Sequence, residues 1–280
     1  MMSLKLSRKK WFRPSLRTVL GVLLVVPLSA YAVNWNQIAH WSMDGGSGQS
    51  TMIDWWGESN DGRLLDSRQV TSGRLGGWAW RFRGTNKNSR VVIDNQSGMS
   101  PGTKDFLVRA RIRFTSELPY QASWNFAQRG RADNIGGQWK LELARSKQSS
   151  GGKVSFRCLF RRPGAPSEPL TVQVLDRGSS LQKNMTYDVS CRLNRSSTNA
   201  SVTAGVNNTA TNRWTWASKS SGIRNVIFGS INPRGNSCAL GNVTTIGGKA
   251  YCANENPDQS ELREDMYKGY LLWMKVWKGR

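Results

Sequence analysis

From Val108 to Phe114 the chain alternates strictly, with Val108, Ala110, Ile112 and Phe114 on one parity and Arg109, Arg111 and Arg113 on the other. A strand repeats every two residues, so this segment reads first as a half-buried strand with a cationic outer face, and second as a binding stripe. Short runs of strand character recur at 37–42, 77–83, 90–93, 106–114, 139–143, 154–160, 170–175, 186–193, 200–206, 224–228 and 269–277. Turn formers such as Gly45-Gly46, Asn60-Asp61-Gly62, Gly136-Gly137 and Gly151-Gly152 separate them. Helical periodicity is nearly absent, and one short helix is predicted over 259–266. Strands at this spacing predict a β-sandwich or jelly roll of two facing sheets. No repeat or linker divides the chain after residue 32, so 33–280 is predicted to be one domain.

The opening is built differently. Lys5, Arg8, Lys9, Lys10, Arg13 and Arg17 form a purely cationic stretch, followed by an apolar run over 19–28 broken only by Gly21 and Pro27. Ala30 and Ala32 flank Tyr31 at the spacing a signal peptidase accepts, so 1–32 reads as a secretion signal peptide cleaved after Ala32. A retained anchor is the alternative, but a bilayer span needs roughly 20 apolar residues and this run is about half that. The expected destination is extracellular, with no stable membrane span after cleavage.

An oxidising compartment changes the reading of the four cysteines, which allow three pairings. The expected bridges are Cys158–Cys191, because both residues lie in segments that read as strands able to run side by side, and Cys238–Cys252, which would staple a Gly- and Asn-rich loop. Metal binding is a poor reading, since no Cys-x-x-Cys pair exists and His40 is the only histidine.

Charge changes the picture of the partner. Six of the 40 Lys and Arg lie in the first 32 residues and none of the 18 Asp and Glu, which leaves 34 against 18, or +16. A field of that sign favours polyanions such as acidic glycans, acidic cell-surface polymers or anionic surfaces, against the alternative that the excess only aids solubility. Nucleic acid is permitted by the charge and is not the expected partner.

His40-Trp41-Ser42-Met43-Asp44-Gly45-Gly46-Ser47-Gly48 is followed by Asp54, Gly57 and Asn60-Asp61-Gly62-Arg63-Leu64. Gly73-Arg74-Leu75-Gly76, Trp80-Arg81-Phe82-Arg83-Gly84 and Val91-Val92-Ile93-Asp94 come next, then Gly136-Gly137-Gln138-Trp139-Lys140-Leu141-Glu142-Leu143, and finally Tyr267 to Trp277. Their order resembles laminin G-like domains of the concanavalin A-like lectin and glucanase superfamily, and the strands carrying Cys158 and Cys191 are similar to secreted actinobacterial members. The resemblance implies that 33–280 is a laminin G-like β-sandwich domain, all-β, with a concanavalin A-like jelly-roll sandwich of two antiparallel sheets. Such scaffolds usually bind glycans or proteins and sometimes hold calcium. Two departures weaken calcium: Leu272-Trp273 stands where the family commonly has an acidic pair, and Val202 to Asn208 lacks a frequent Asp-Gly ending. Asp44 and Asp54 remain as carboxylates for calcium, with turn capping their expected role. No cofactor is therefore expected.

Catalysis lacks a constellation. Hydrolases on this scaffold use two carboxylates facing one sugar, whereas Glu142 is alone in its strand and Glu255, Asp258, Glu261, Glu264 and Asp265 fall in a loop and short helix. A lone histidine, His40, is more often structural than catalytic. Twelve tryptophans follow residue 32, and indoles serve both as sandwich core and as stacking platforms for sugars. Trp78, Trp80, Trp139 and Trp273 are assigned to core or sheet faces. The ligand candidates are Trp55 and Trp56 in a predicted loop, and Trp214 and Trp216, two apart on one strand face, with Arg213 as an anion contact. The leading reading is a secreted, non-catalytic module that binds a glycan or cell-surface polymer. A glycan-cleaving hydrolase or lyase, and a protein-interaction or structural module, are the alternatives.

Overall fold

Inward-facing apolar residues on the long strands other than the edge strand 213–221 close two sheets over one core. The structure, a computed structural model, describes residues 34–42, 51–56, 60–75, 77–93, 97–130, 138–161, 169–195, 199–221, 243–249 and 257–279. The leader, the 224–228 strand expectation and the Cys238–Cys252 pairing lie outside the described residues.

Sixteen strands are described: β1 Trp35–Ser42, β2 Thr51–Met52, β3 Gly62–Leu64, β4 Val70–Arg74, β5 Trp78–Phe82, β6 Val91–Ile93, β7 Phe106–Phe114 and β8 Ser123–Arg129, followed by β9 Gln138–Arg145, β10 Val154–Arg161, β11 Leu170–Val174, β12 Tyr187–Arg195, β13 Ala200–Asn208, β14 Arg213–Ser221, β15 Thr244–Ile246 and β16 Gly269–Gly279. One helix, α1, covers Gln259–Asp265. Sheet I runs β14-β13-β12-β7-β16-β5-β4, with β1 also paired to β16, and sheet II runs β11-β10-β9-β8-β15-β6-β3-β2. Neighbouring strands within each sheet are antiparallel. The fold is the concanavalin A-like jelly-roll sandwich, as the strand pattern and the resemblance together implied.

β7 shows how sequence sets the layers. Its residues alternate between buried and half-buried along all nine positions, so Phe106, Val108, Ala110, Ile112 and Phe114 enter the core while the arginines stay outside. Phe106 meets Trp139 and Phe160 of sheet II at ring-centroid distances of 5.9 and 6.4 Å. Each such aromatic contributes roughly 1.5–3 kcal/mol through burial.

β16 keeps the same logic by a bulge. Leu271 pairs with Ile112 and Trp273 with Arg111, so Leu272 is the extra residue. That one-residue shift keeps Leu271 and Met274 inward and turns both Tyr270 and Trp273 outward.

Cys158 of β10 and Cys191 of β12 form a disulfide with Cα atoms 5.5 Å apart. The pairing is the expected one, but the arrangement differs. The two strands lie in opposite sheets, so the bond staples the sandwich across its core instead of joining neighbours. Small inward residues Ala200 and Ala204 on β13 accompany this close approach, and the Arg177 N–H donates to Thr215 Oγ1 of β14 at 3.2 Å.

Candidate functional site

The outer face of sheet I is read most directly along its cross-strand rows. One row places Trp216, Gly205, Ser190, Arg109, Lys275 and His40 side by side on β14, β13, β12, β7, β16 and β1. The adjacent row holds Trp214, Asn207, Asp188, Arg111, Trp273 and Ser42 on the same strands.

At the β14 end of these rows the Trp214 and Trp216 rings stack, with centroids 4.7 Å apart and planes 13° from parallel. Gly205 makes room for them, because a Cβ there would overlap the six-membered ring of Trp216. Trp216 is 49 % exposed while Trp214 is half-buried. The Arg109 guanidinium lies over the Trp214 ring, 5.2 Å from its centroid. In the next row Arg111 forms a two-point ion pair with Asp188, Nε to Oδ1 at 2.6 Å and Nη2 to Oδ2 at 2.9 Å, and sits 5.6 Å from the Trp273 ring centroid. The hydrogen bonds that Arg111 donates to Asp188 raise its pKa above the ordinary value. Arg192 over Trp35 and Arg81 over Tyr270 repeat the pairing of cation with ring elsewhere on sheet I.

Of the residues singled out in the sequence, Trp214 and Trp216 come together on one face. Alternation along β14 sends Arg213 to the opposite side, and the cation brought to the pair is Arg109, three strands away in the sheet. Arg109 was visible as part of a cationic strand face; its partnership with Trp214 needs the strand order β14-β13-β12-β7. Trp55 and Trp56 lie in the turn after Asp54 and are 48 % and 53 % exposed. The Trp55 backbone N–H donates to His40 O at 2.8 Å, and its indole N–H donates to Ser42 O at 3.4 Å. Trp55 is thereby fixed beside β1, at the opposite side of sheet I from Trp216.

Asp54 caps this turn. Its Oδ1 accepts from the His40 and Trp56 backbone N–H groups, and its Oδ2 accepts from Asn60 Nδ2. Asp44 lies outside the described residues, and among the described residues no group of three or more metal-ligating side chains converges. On the outer side of sheet II, Glu142 is 2 % exposed and meets Lys140 Nζ at 2.5 Å and Arg157 Nε at 2.9 Å. Asn125, its register partner on β8, donates to Asp265 at 3.4 Å, and Asp265 also pairs with Lys249 at 2.8 Å. Each of these carboxylates is paired with a cation.

No protein-family model and no curated protein matches the sequence. Among solved structures, full-length tailspike protein 2 of Escherichia coli O157:H7 bacteriophage CAB120 is similar over 74% of this chain, at 15% identity and a TM-score of 0.50. The chain covers only 24% of that protein. The CBM40 of the Ruminococcus gnavus IT-sialidase is similar at 11% identity over 63% of this chain and 77% of its own, with a TM-score of 0.39. Lectin I of Ulex europaeus, in complex with the methyl glycoside of α-L-fucose, is similar at 9% identity over 88% and 97%, with a TM-score of 0.38. At these identities the likeness concerns the fold.

Proposed function

We propose that the protein is a secreted, non-catalytic recognition module of the laminin G-like type, which binds a glycan or cell-surface polymer on the outer face of sheet I. The stacked, solvent-facing Trp214–Trp216 pair carries this reading. Sugar rings have flat apolar faces that an indole covers well, and a pair held in place by Gly205 and Arg109 binds with little loss of side-chain freedom. The leader over 1–32 and a disulfide at the heart of the domain fit an oxidising, extracellular destination. No helix among the described residues is long and apolar enough to cross a membrane.

The test is a binding screen of residues 33–280 against glycans and cell-wall polymers, repeated with Trp216→Ala. The variant is expected to bind about tenfold more weakly, about 1.4 kcal/mol, with its thermal transition retained. Wild-type protein that binds no saccharide, or a variant that unfolds, would return Trp216 to a structural role.

A further inference from the structure

The row that begins at Trp216 does not end at β1. Trp41 of β1 bridges to Asp54, and the Trp55 backbone donates to His40. The segment carrying Trp55 therefore extends sheet I by one more line of chain, level with His40. Trp216 and Trp55, both about half exposed, stand at the two ends of one cross-strand line. Six inter-strand steps of about 4.8 Å separate them, or about 29 Å along the sheet.

The middle of that line is cationic. Arg109 and Lys275 are direct neighbours across β7 and β16, and among the described residues no carboxylate pairs with Arg109, Arg113, Arg192 or Lys275. Asp188 is the one acidic side chain among the described strand residues of this face, and Arg111 already holds it. A guanidinium lying over an indole keeps its N–H edge available for in-plane donation to a carboxylate or sulfate.

We propose that this face is a track for a linear acidic polysaccharide that runs across the strands from the Trp214–Trp216 pair, over Arg109 and Lys275, to Trp55. The proposal rests on the reading of the tryptophan pair as a glycan platform and adds the ligand's charge, direction and length. The occupant is a polyanion because positive charge is in excess on the face, its one strand carboxylate being held by Arg111, and for the same reason a second copy of the chain would meet it with repulsion. Rings at both ends supply stacking for sugar units there, and the two central cations bind the acidic groups between them.

The experiment is a tryptophan-fluorescence titration of the purified, oxidised protein with uronic-acid oligosaccharides from dimer to hexamer. Carboxyl-reduced neutral counterparts and a salt series complete the set. Affinity is expected to climb with length, and the neutral hexamer is expected to bind at least tenfold more weakly than the acidic one. Lys275→Ala should lower the slope of log affinity against log salt by about one, by the counter-ion release that governs polyanions. Trp55→Ala should abolish most of the gain from dimer to hexamer.

A hexamer that binds no tighter than a dimer, with Trp55→Ala and Lys275→Ala silent while Trp216→Ala abolishes binding, overturns the track and leaves the tryptophan platform standing. Equal affinity for acidic and neutral chains overturns it as well. Failure to bind any saccharide overturns both readings. Dimerisation of the protein that Trp216→Ala and Lys275→Ala abolish would assign the face to a second copy instead.

Discussion

The cross-sheet disulfide makes the sharpest energetic prediction. Cys158 and Cys191 are both fully buried and lie 33 residues apart in sequence. In the chain-entropy account, closing a loop of that length stabilises the fold by about 3.7 kcal/mol at 25 °C. For a domain of this size each kcal/mol moves the thermal midpoint by about 2–4 °C, so loss of the bond should lower it by about 7–15 °C. The assay is thermal and urea unfolding of wild type, Cys158→Ala, Cys191→Ala and the double variant. Each single substitution already breaks the bond, so the double variant should cost little more than either single, apart from the packing lost with the second sulfur. Two outcomes would refute the reasoning: single costs that add in the double variant, or a double variant within about 1 kcal/mol of wild type. Peptide mapping that finds Cys158 bridged to Cys238 or Cys252 would do the same.

Two further outcomes follow from named contacts. Gly205→Ala should swing the Trp216 ring off β13, because the new Cβ occupies its place. Near-ultraviolet circular dichroism should then lose the signature of stacked indoles, while the domain stays within about 1 kcal/mol of its starting stability; an unchanged spectrum would contradict the ring's position. Tyr267 is fully buried between Phe82 and Phe126, its hydroxyl donates to Tyr270 O at 3.1 Å, and burial pushes the phenol pKa well above its ordinary 10.0. Unfolded chains release this proton near pH 10 and the folded chain keeps it, so its stabilisation is present below that pH and is lost as pH rises above it. Arg129, whose pKa burial lowers to about 10, acts with the opposite sign over the same range. The comparison must therefore be wild type against Tyr267→Phe. The variant's urea midpoint should fall less steeply above pH 10, and parallel curves would contradict the assignment.

How legible the fold was depended on whether a strand buries one face only. β7 does, and its alternation gave both its limits and its outward arginines. β8 escaped notice because a bulge between Asn125 and Ala127 sets two apolar, buried residues, Phe126 and Ala127, in succession, which breaks the two-residue period. β14 was legible only as the strand face shared by Trp214 and Trp216, because as an edge strand it has no fully buried residue to mark its limits. That Trp214 and Trp216 share one face was legible from their spacing. The approach of Arg109 was not, since it depends on three strand pairings of long sequence separation. Trp273 was uncertain for a related reason, because the bulge at Leu272 decides which way it faces.

Tryptophan content alone could not separate core from site; the partners of each indole go part of the way, with Trp55, exposed yet bonded through its N–H to Ser42 O, and Trp124, buried yet with its ring centroid 5.9 Å from Lys268 Nζ, as exceptions. The N–H groups of Trp41, Trp124 and Trp139 donate to the backbone carbonyls of Asn60, Arg263 and Met99 at 2.8, 2.6 and 2.9 Å, as buried donors must if they are not to destabilise the fold. Trp80, equally buried, is the exception among them, with an indole N–H that has no partner. Trp35, Trp214 and Trp273 instead meet the guanidinium groups of Arg192, Arg109 and Arg111 across their ring faces. A charged partner would be costly inside the sandwich, where the desolvation of an unpaired cation outweighs its attraction to a ring. On an outer face that cost is small, and the same pairing leaves both a ring and a charge available to a ligand.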